Sequence, residues 1–222
     1  MIPQMESEFW SPILLSLKVA SISVILVFVS GILSARLLTK RQFKGKMLVE
    51  IFLLLPIVLP PTVIGFLLIF FFGGNSPVGT LIDTLFASSI MFTPLAAVIA
   101  SSIVAFPLMY QTVRIGFQSV DKGIEDAARV DGANEWNVFF LVTLPLSTKS
   151  IISGLILSFA RALGEFGATF MFAGNIPGKT QTAPTAIYIA MDSGNMNLAW
   201  MLVLAMIFIS SLMLFATNVT QK

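Results

Sequence analysis

The chain has 222 residues, of which 56% are hydrophobic and 11% charged, with a net charge of +2 and a mean hydropathy of +0.93. This composition excludes a soluble globular domain, because too little polar surface exists to cover one, and apolar runs of about 20 residues without a two-residue alternation exclude an outer-membrane barrel. With neither Cys nor His, the chain has no disulfide framework, no thiolate metal site and neither the commonest metal ligand nor the commonest general base, so no bound cofactor or metal is expected and an enzyme lacks its usual parts.

The reading is therefore all-α and polytopic. Residues 1–11 carry Glu6 and Glu8 and no basic side chain, the wrong charge for the start of a signal peptide, and the apolar run after them is too long for one; no cleavage is expected. A first span runs from Pro12 to Leu38, with Lys18 near one end placed to snorkel to the interface. Next come Arg36, Lys40, Arg41, Lys44 and Lys46, with no acid until Glu50. The positive-inside bias puts this cluster in the cytoplasm and the N-terminus outside. Lipid or nucleic acid would also suit the charge, but topology explains it and no nucleic-acid partner is expected.

A second span, Leu48 to Phe72, contains Pro56, Pro60 and Pro61. Prolines at mid-span break or kink a helix and free backbone carbonyls, either to line a cavity or merely as a packing kink. Gly73 to Ser89 is a turn-rich outer stretch with Asp83 and no Lys or Arg, with room for a short re-entrant or interfacial helix around Leu81 to Phe86. The third span, Ile90 to Val113, carries Pro94 and Pro107 near its ends, and Arg114 marks the return to the cytoplasm. Lys149 sits at the next boundary. A fourth span, Ser150 to Ala173, contains Arg161 and Glu165. An outer loop, Gly174 to Asn197, leads to the fifth, Leu198 to Thr217, with Lys222 inside. Five spans, or six with the short outer helix, satisfy the charge of every loop, and there is no room for a second domain.

Between the third and fourth spans lies the most polar run of the chain, with Glu125, Asp126, Arg129, Asp131 and Glu135. It cannot sit in lipid and must project into water. Asp121 is placed to cap a helix, Glu125 and Arg129 form an i,i+4 pair in the favourable order, and Gly132 suits the left-handed residue that ends the helix. Asn134 then caps a second helix in which Trp136, Phe139, Phe140 and Thr143 share one face. Two readings fit: a docking element for a soluble partner, or an ordinary ordered loop.

Two further features bear on chemistry. Gly174 to Thr180 superficially matches a phosphate-binding loop, but only three residues separate Gly174 from Gly178 where four are needed, and no strand precedes it. No nucleotide site is expected. Arg161 and Glu165 lie one helical turn apart inside an apolar span, where each alone costs roughly 3 kcal/mol. They form either a neutralising structural pair or the border of a polar path. Gly164, Gly167 and Ala168 around them permit close helix approach.

Asp126-Ala127-Ala128, three residues, Gly132, nine residues, then Val142-Thr143-Leu144-Pro145 resembles the EAA loop of ABC importer permeases. The family pattern has Glu where this chain has Asp126 and Ile where it has Val142, both conservative. The runs Ala160 to Thr169 and Ala173 to Gly178, with Leu59 to Gly65, are similar to the molybdate permeases in particular; sulfate permeases have a related version around Gly164 to Gly167. The resemblance covers nearly the whole chain. It implies a type I importer permease with one transmembrane domain over residues 10–217 and a coupling loop at 119–145. Glu125, Asp126, Ala127, Ala128, Arg129, Gly132, Leu144 and Pro145 would then meet the ATPase, with Pro60, Pro61, Arg161, Gly164 and Glu165 as candidates for the translocation path. It further implies a homodimer in the bacterial cytoplasmic membrane, two cytoplasmic ATPase subunits that use the ATP, and an external oxyanion-binding protein. Importing a dianion against an inside-negative potential costs about 2.3 kcal/mol per charge per 100 mV, which demands an energy source. Sulfate or thiosulfate import, and a stand-alone secondary transporter, are the rivals; tungstate is a natural second cargo.

Overall fold

The computed structural model describes residues 2–40, 42–86 and 88–221; Arg41 and Lys222, and the side chain of Glu6, lie outside them. Among the described residues there is no strand. The helices are α1 (Ile2–Lys40), α2 (Lys46–Val58), α3 (Pro61–Phe72), α4 (Pro77–Phe86), α5 (Pro94–Gln118), α6 (Lys122–Val130), α7 (Glu135–Val138), a π-helical turn (Phe139–Thr143), α8 (Leu144–Leu146), α9 (Thr148–Leu163), α10 (Gly167–Ala173), α11 (Ala183–Asp192) and α12 (Met196–Gln221). Three helices are long and apolar enough to cross a membrane, within α1, α5 and α12, and the count reaches five if each of two bent pairs is one span. The upper figure equals the expected number, although its second pair joins Glu135–Leu146 to Thr148–Leu163 rather than covering Ser150 to Ala173.

The central element is α5. Thr93 caps it, accepting a hydrogen bond from the Ala96 amide, and Pro94 occupies the first turn, where a missing N–H costs nothing. Its buried Ala96, Ala97, Ala100 and Ala105 let neighbouring helices approach closely. Gly31 of α1 rests against Met109, where a Cβ would come within 2.8 Å of the Met109 side chain. Towards the Arg114 end, α1 and α9 bury Val27, Ala35, Tyr110 and Val113 with α5. Towards the Pro94 end, α3 and α10 contribute Ile64, Leu68, Ala168 and Phe172.

The second span breaks at the adjacent prolines, and α2 and α3 are bent by 116°. A residue before proline is driven out of the helical region. Leu59 precedes Pro60 and Pro60 precedes Pro61, so both are extended, at φ −69°, ψ 140° and φ −54°, ψ 137°. Pro61 then opens α3 from its first turn. Pro56, by contrast, stays inside α2 without ending it.

Three expectations need correction. The fourth span is not continuous: α9 ends at Leu163 and α10 begins at Gly167. The stretch from Gly174 to Asn197 is not only loop, because it contains α11, whose first amide, that of Ala183, donates to the buried Ser16 hydroxyl of α1 over 2.7 Å. The helix after Asn134 passes into a π turn, so Trp136, Phe139, Phe140 and Thr143 do not share one buried face: Phe139 and Thr143 are buried and Trp136 and Phe140 are exposed. A π turn inserts one residue into the helical register and rotates the residues beyond it. The short helix expected around Leu81 to Phe86 is present, starting earlier, at Pro77.

Candidate functional site

Two polar places stand out, one in the loop between α5 and α9 and one where both broken spans meet.

The loop is built as its local signals require. Asp121 caps α6, its carboxylate accepting from the Gly123 amide at 2.7 Å. Gly132 takes φ 91°, and the amides of Gly132 and Ala133 close the helix onto Arg129 and Ala128 carbonyls, each at 3.0 Å. Asn134 accepts from the amides of Trp136 and Asn137 at 3.1 and 2.8 Å. The turn between the helices is thus held by caps at both sides.

Across it lies an ion cluster centred on Arg129. Its Nε meets Glu135 Oε1 at 2.7 Å, Nη1 meets Asp126 Oδ1 at 2.6 Å and Nη2 meets Glu125 Oε2 at 3.4 Å. The hydrogen bond to Glu135 holds the guanidinium well above its usual pKa. Reciprocally, the hydrogen bonds from Arg129 and then from Lys40 lower the Glu135 carboxyl to about 2. The other Glu125 oxygen accepts from the Thr143 hydroxyl at 2.5 Å.

The remaining anchors come from α1. Lys40 pairs with Glu135. Arg36 donates to the Glu135 carbonyl at 3.4 Å, and its guanidinium carbon lies 3.8 Å from the Trp136 ring centre and 4.0 Å from that of Phe139. From sequence alone, Arg36 and Lys40 are topology markers only; the motif Arg, three residues, Lys on one helix face is the available signal. No residue of α6 is buried. A polar cavity of about 660 Å³ separates it from the ends of α1 and α5.

Of the loop residues singled out from sequence, Asp126, Ala127, Gly132 and Pro145 are exposed, and Glu125, Ala128, Arg129 and Leu144 are half-buried. Sequence reasoning misses Val130 and Leu141, 86% and 73% exposed. With Ile124 and Trp136 they leave apolar surface on an otherwise charged protrusion, which is how a binding surface differs from a solvated loop.

At the second place, Arg161 Nη1 meets Glu165 Oε2 at 2.7 Å, with the side chains 33% and 1% exposed. The other Glu165 oxygen accepts from the Ala168 amide at 2.9 Å, so one carboxylate both neutralises Arg161 and caps α10. Gly164 ends α9 and is exposed. Gly167 abuts Pro61, and a Cβ there would stand 2.9 Å from the Pro61 Cβ. Pro61 and the Arg161–Glu165 pair, far apart in sequence, therefore border one region where two helices are interrupted side by side. Interrupted helices tolerated at membrane depth are those that line a cavity or are buried in protein.

Interrupted spans and a charged loop element capped at both ends fit the transmembrane subunit of an ABC importer. The chain belongs to the family of binding-protein-dependent transport system inner membrane components, whose model matches residues 27–222. Among solved structures, the fold is similar to the MetNI methionine ABC transporter, with TM-score 0.74, 17% identity and coverage of 100% of this chain and 98% of that one. It is also similar to a bacterial ABC transporter involved in import of the acidic polysaccharide alginate, with TM-score 0.73, 16% identity and coverage of 96% and 78%. Closer in sequence is the Bacillus subtilis permease protein YvgM, named for a molybdenum transport system, 53% identical over 94% of this chain and 92% of that protein. The molybdenum transport system permease protein ModB of Escherichia coli K12 is 44% identical over 83% and 80%. A sulfate transport system permease, cysT of Chlorella vulgaris, is more distant, at 33% over 82% and 68%.

Proposed function

We propose that this chain is the permease subunit of an ATP-driven importer for molybdate, with tungstate as a second cargo. In this reading two copies form the translocation path, two cytoplasmic ATPase subunits bind and hydrolyse the ATP, and an external protein delivers the oxyanion. The basic end of α1 and the loop at residues 119–145 face the cytoplasm, the N-terminus faces outwards and the C-terminus inwards.

The observation that supports coupling best is the protruding α6. It is rigid by its caps and ion cluster, stands off the bundle, and presents Asp126 and Ala127 with exposed Val130. A free loop would have neither fixed shape nor apolar surface. Molybdate is favoured over sulfate by the closer likeness to the molybdenum permeases. The breaks at Pro60–Pro61 and Leu163–Gly167 border the path, with Arg161 the cation beside it. A single Arg at each subunit's break suits an anion that must pass rather than stay, leaving tight recognition to the delivery protein.

The test is cellular molybdenum by elemental mass spectrometry at trace external molybdate. Deletion of the chain should lower it, the wild-type chain should restore it, and Asp126→Lys should not, while also releasing the ATPase subunit on purification. Unchanged molybdenum on deletion, in cells without another uptake route, would move the cargo to sulfate. Normal uptake with Asp126→Lys would overturn the docking role of α6. Uptake without any ATPase subunit would favour a secondary transporter.

A further inference from the structure

We propose that Arg36 is a positioning residue that makes α1 a second strut between the docking element and the opposite face of the membrane domain; this rests on the reading of α6 as the ATPase docking element. The direct attachment of α6 to the bundle is slender. Three residues, Ser119 to Asp121, join it to α5, and no residue of α6 is buried. A joint of that kind transmits a pull but not a rotation, because the few backbone dihedrals in it can turn. A second attachment, away from the joint, turns a hinged flap into a lever.

That second attachment is the end of α1. The Arg36 guanidinium packs on both Trp136 and Phe139, at 3.8 and 4.0 Å from their ring centres. Lys40, one turn further, pairs with Glu135, which also grips Arg129 of α6. The chain of contact therefore runs from α6 through Arg129, Glu135 and the two rings to α1. These partners are about a hundred residues away in sequence, so the link is tertiary and separate from the covalent path, which runs from Phe139 through the π turn and α8 into α9.

From there α1 is a continuous helix tied along its length. Gly31 fits Met109, the Ser23 hydroxyl donates to the Val98 carbonyl at 3.0 Å, and the Ser16 hydroxyl accepts from Ala183 at the entry to α11. Ser16 and Arg36 are about 30 Å apart along a helix at 1.5 Å per residue, the thickness of the hydrocarbon core. The interior proline of α1, Pro12, falls beyond Ser16 and leaves this segment unbroken. A displacement of the docking element is thus delivered to α11, on the far side, by a rod that passes α5.

The experiment uses the full assembly of this chain with its ATPase subunit and delivery protein in liposomes. It reads three quantities: ATPase subunit retained on purification, ATP hydrolysed, and molybdate imported per ATP. Arg36→Ala should retain the ATPase subunit and its hydrolysis but lower molybdate per ATP about tenfold. Arg36→Lys, which keeps the charge and loses the planar stack, should lower it by a smaller factor, about threefold, and serves if the alanine variant does not assemble. A wild-type ratio of molybdate to ATP in either assembled variant overturns the strut. Loss of the ATPase subunit with Arg36→Ala also overturns it, since Arg36 would then act in docking itself. The docking reading fails separately, if Asp126→Lys keeps both the ATPase subunit and transport.

Discussion

Two of the places where the chain sets an arginine against carboxylates are opposites. Arg129 faces three carboxylates, from Glu125, Asp126 and Glu135, all in reach of water. Arg161 faces one, Glu165, whose side chain is 1% exposed. In the first place water stands ready to replace any lost partner, so each ion pair contributes little to stability, about 0–1 kcal/mol, and the value of the cluster is the shape it gives α6. In the second place no water reaches Glu165, and losing its partner leaves a buried carboxylate unpaired. The same chemistry thus serves form on the outside and folding within.

The largest expected effect arises from that difference and is asymmetric within the buried pair. Arg161→Ala strands the Glu165 carboxylate, the more buried partner, and should destabilise the purified chain by about 3–5 kcal/mol. Glu165→Gln should cost less, because the amide oxygen can still accept from the Ala168 amide and the half-exposed Arg161 retains access to water. The double variant Arg161→Ala, Glu165→Gln should recover part of the first loss. Thermal unfolding in detergent ranks the three. Equal losses for the two single variants would mean that Glu165 is not the stranded charge. At the exposed cluster, Arg129→Ala should leave the unfolding temperature almost unchanged and lower uptake instead.

Two glycines extend the contrast to the next smaller effects. Gly167 needs no special backbone conformation, but Pro61 occupies the space of its Cβ at 2.9 Å. Gly167→Ala should push the two helix breaks apart, with an overpacking cost of about 1–3 kcal/mol. Gly132 has nothing within 4 Å and a φ of 91°, so Gly132→Ala pays only for the left-handed backbone, about 1–2 kcal/mol. Replacing Gly132 with Asn, which tolerates that conformation, should restore most of the loss, whereas Asn at Gly167 should be worse than Ala. Unfolding of the four variants reads out whether space or backbone governs each position.

Legibility from sequence divides along the same line. Caps act within three or four residues, so Asp121, Gly132 and Asn134 announce the turns of the docking loop. Proline acts on the residue before it, so Pro60 and Pro61 announce the first helix break. The second break, at Gly164 to Phe166, has no proline. It depends on Glu165 reaching forward to cap α10 and on Pro61 pressing against Gly167, and the latter contact is tertiary. Likewise α11 is hidden because its ten residues are too few for a span and its anchor, Ser16, lies at the other end of the chain. Arg36 and Lys40 carry an obvious charge signal, but their partners on α7 are fixed only by folding. The π turn at Phe139–Thr143 has no local signature at all, and it decides which aromatic rings face outwards beside Arg36.

The smallest expected effect is on pH, and its sign is fixed by Glu135. Its carboxyl titrates at about 2 in the folded chain, below its ordinary value of 4.5. The ionised form, facing Arg129 and Lys40, is therefore favoured by folding, and its contribution is fully present above the ordinary value. It fades as pH falls from there towards 2. Trp136 reports on this directly, because it neighbours Glu135 and stacks on Arg36. In a variant with Trp10 and Trp200 replaced by Phe, Trp136 emission in the folded chain should stay constant through the ordinary glutamate value of 4.5 and shift only as pH approaches about 2. The chain contains no His, so no side chain of ordinary pKa titrates between pH 5 and 8 to blur the result. A transition centred near the ordinary 4.5 would mean that Glu135 is not held by Arg129 and Lys40, and that the exposed cluster does not keep the shape on which docking depends.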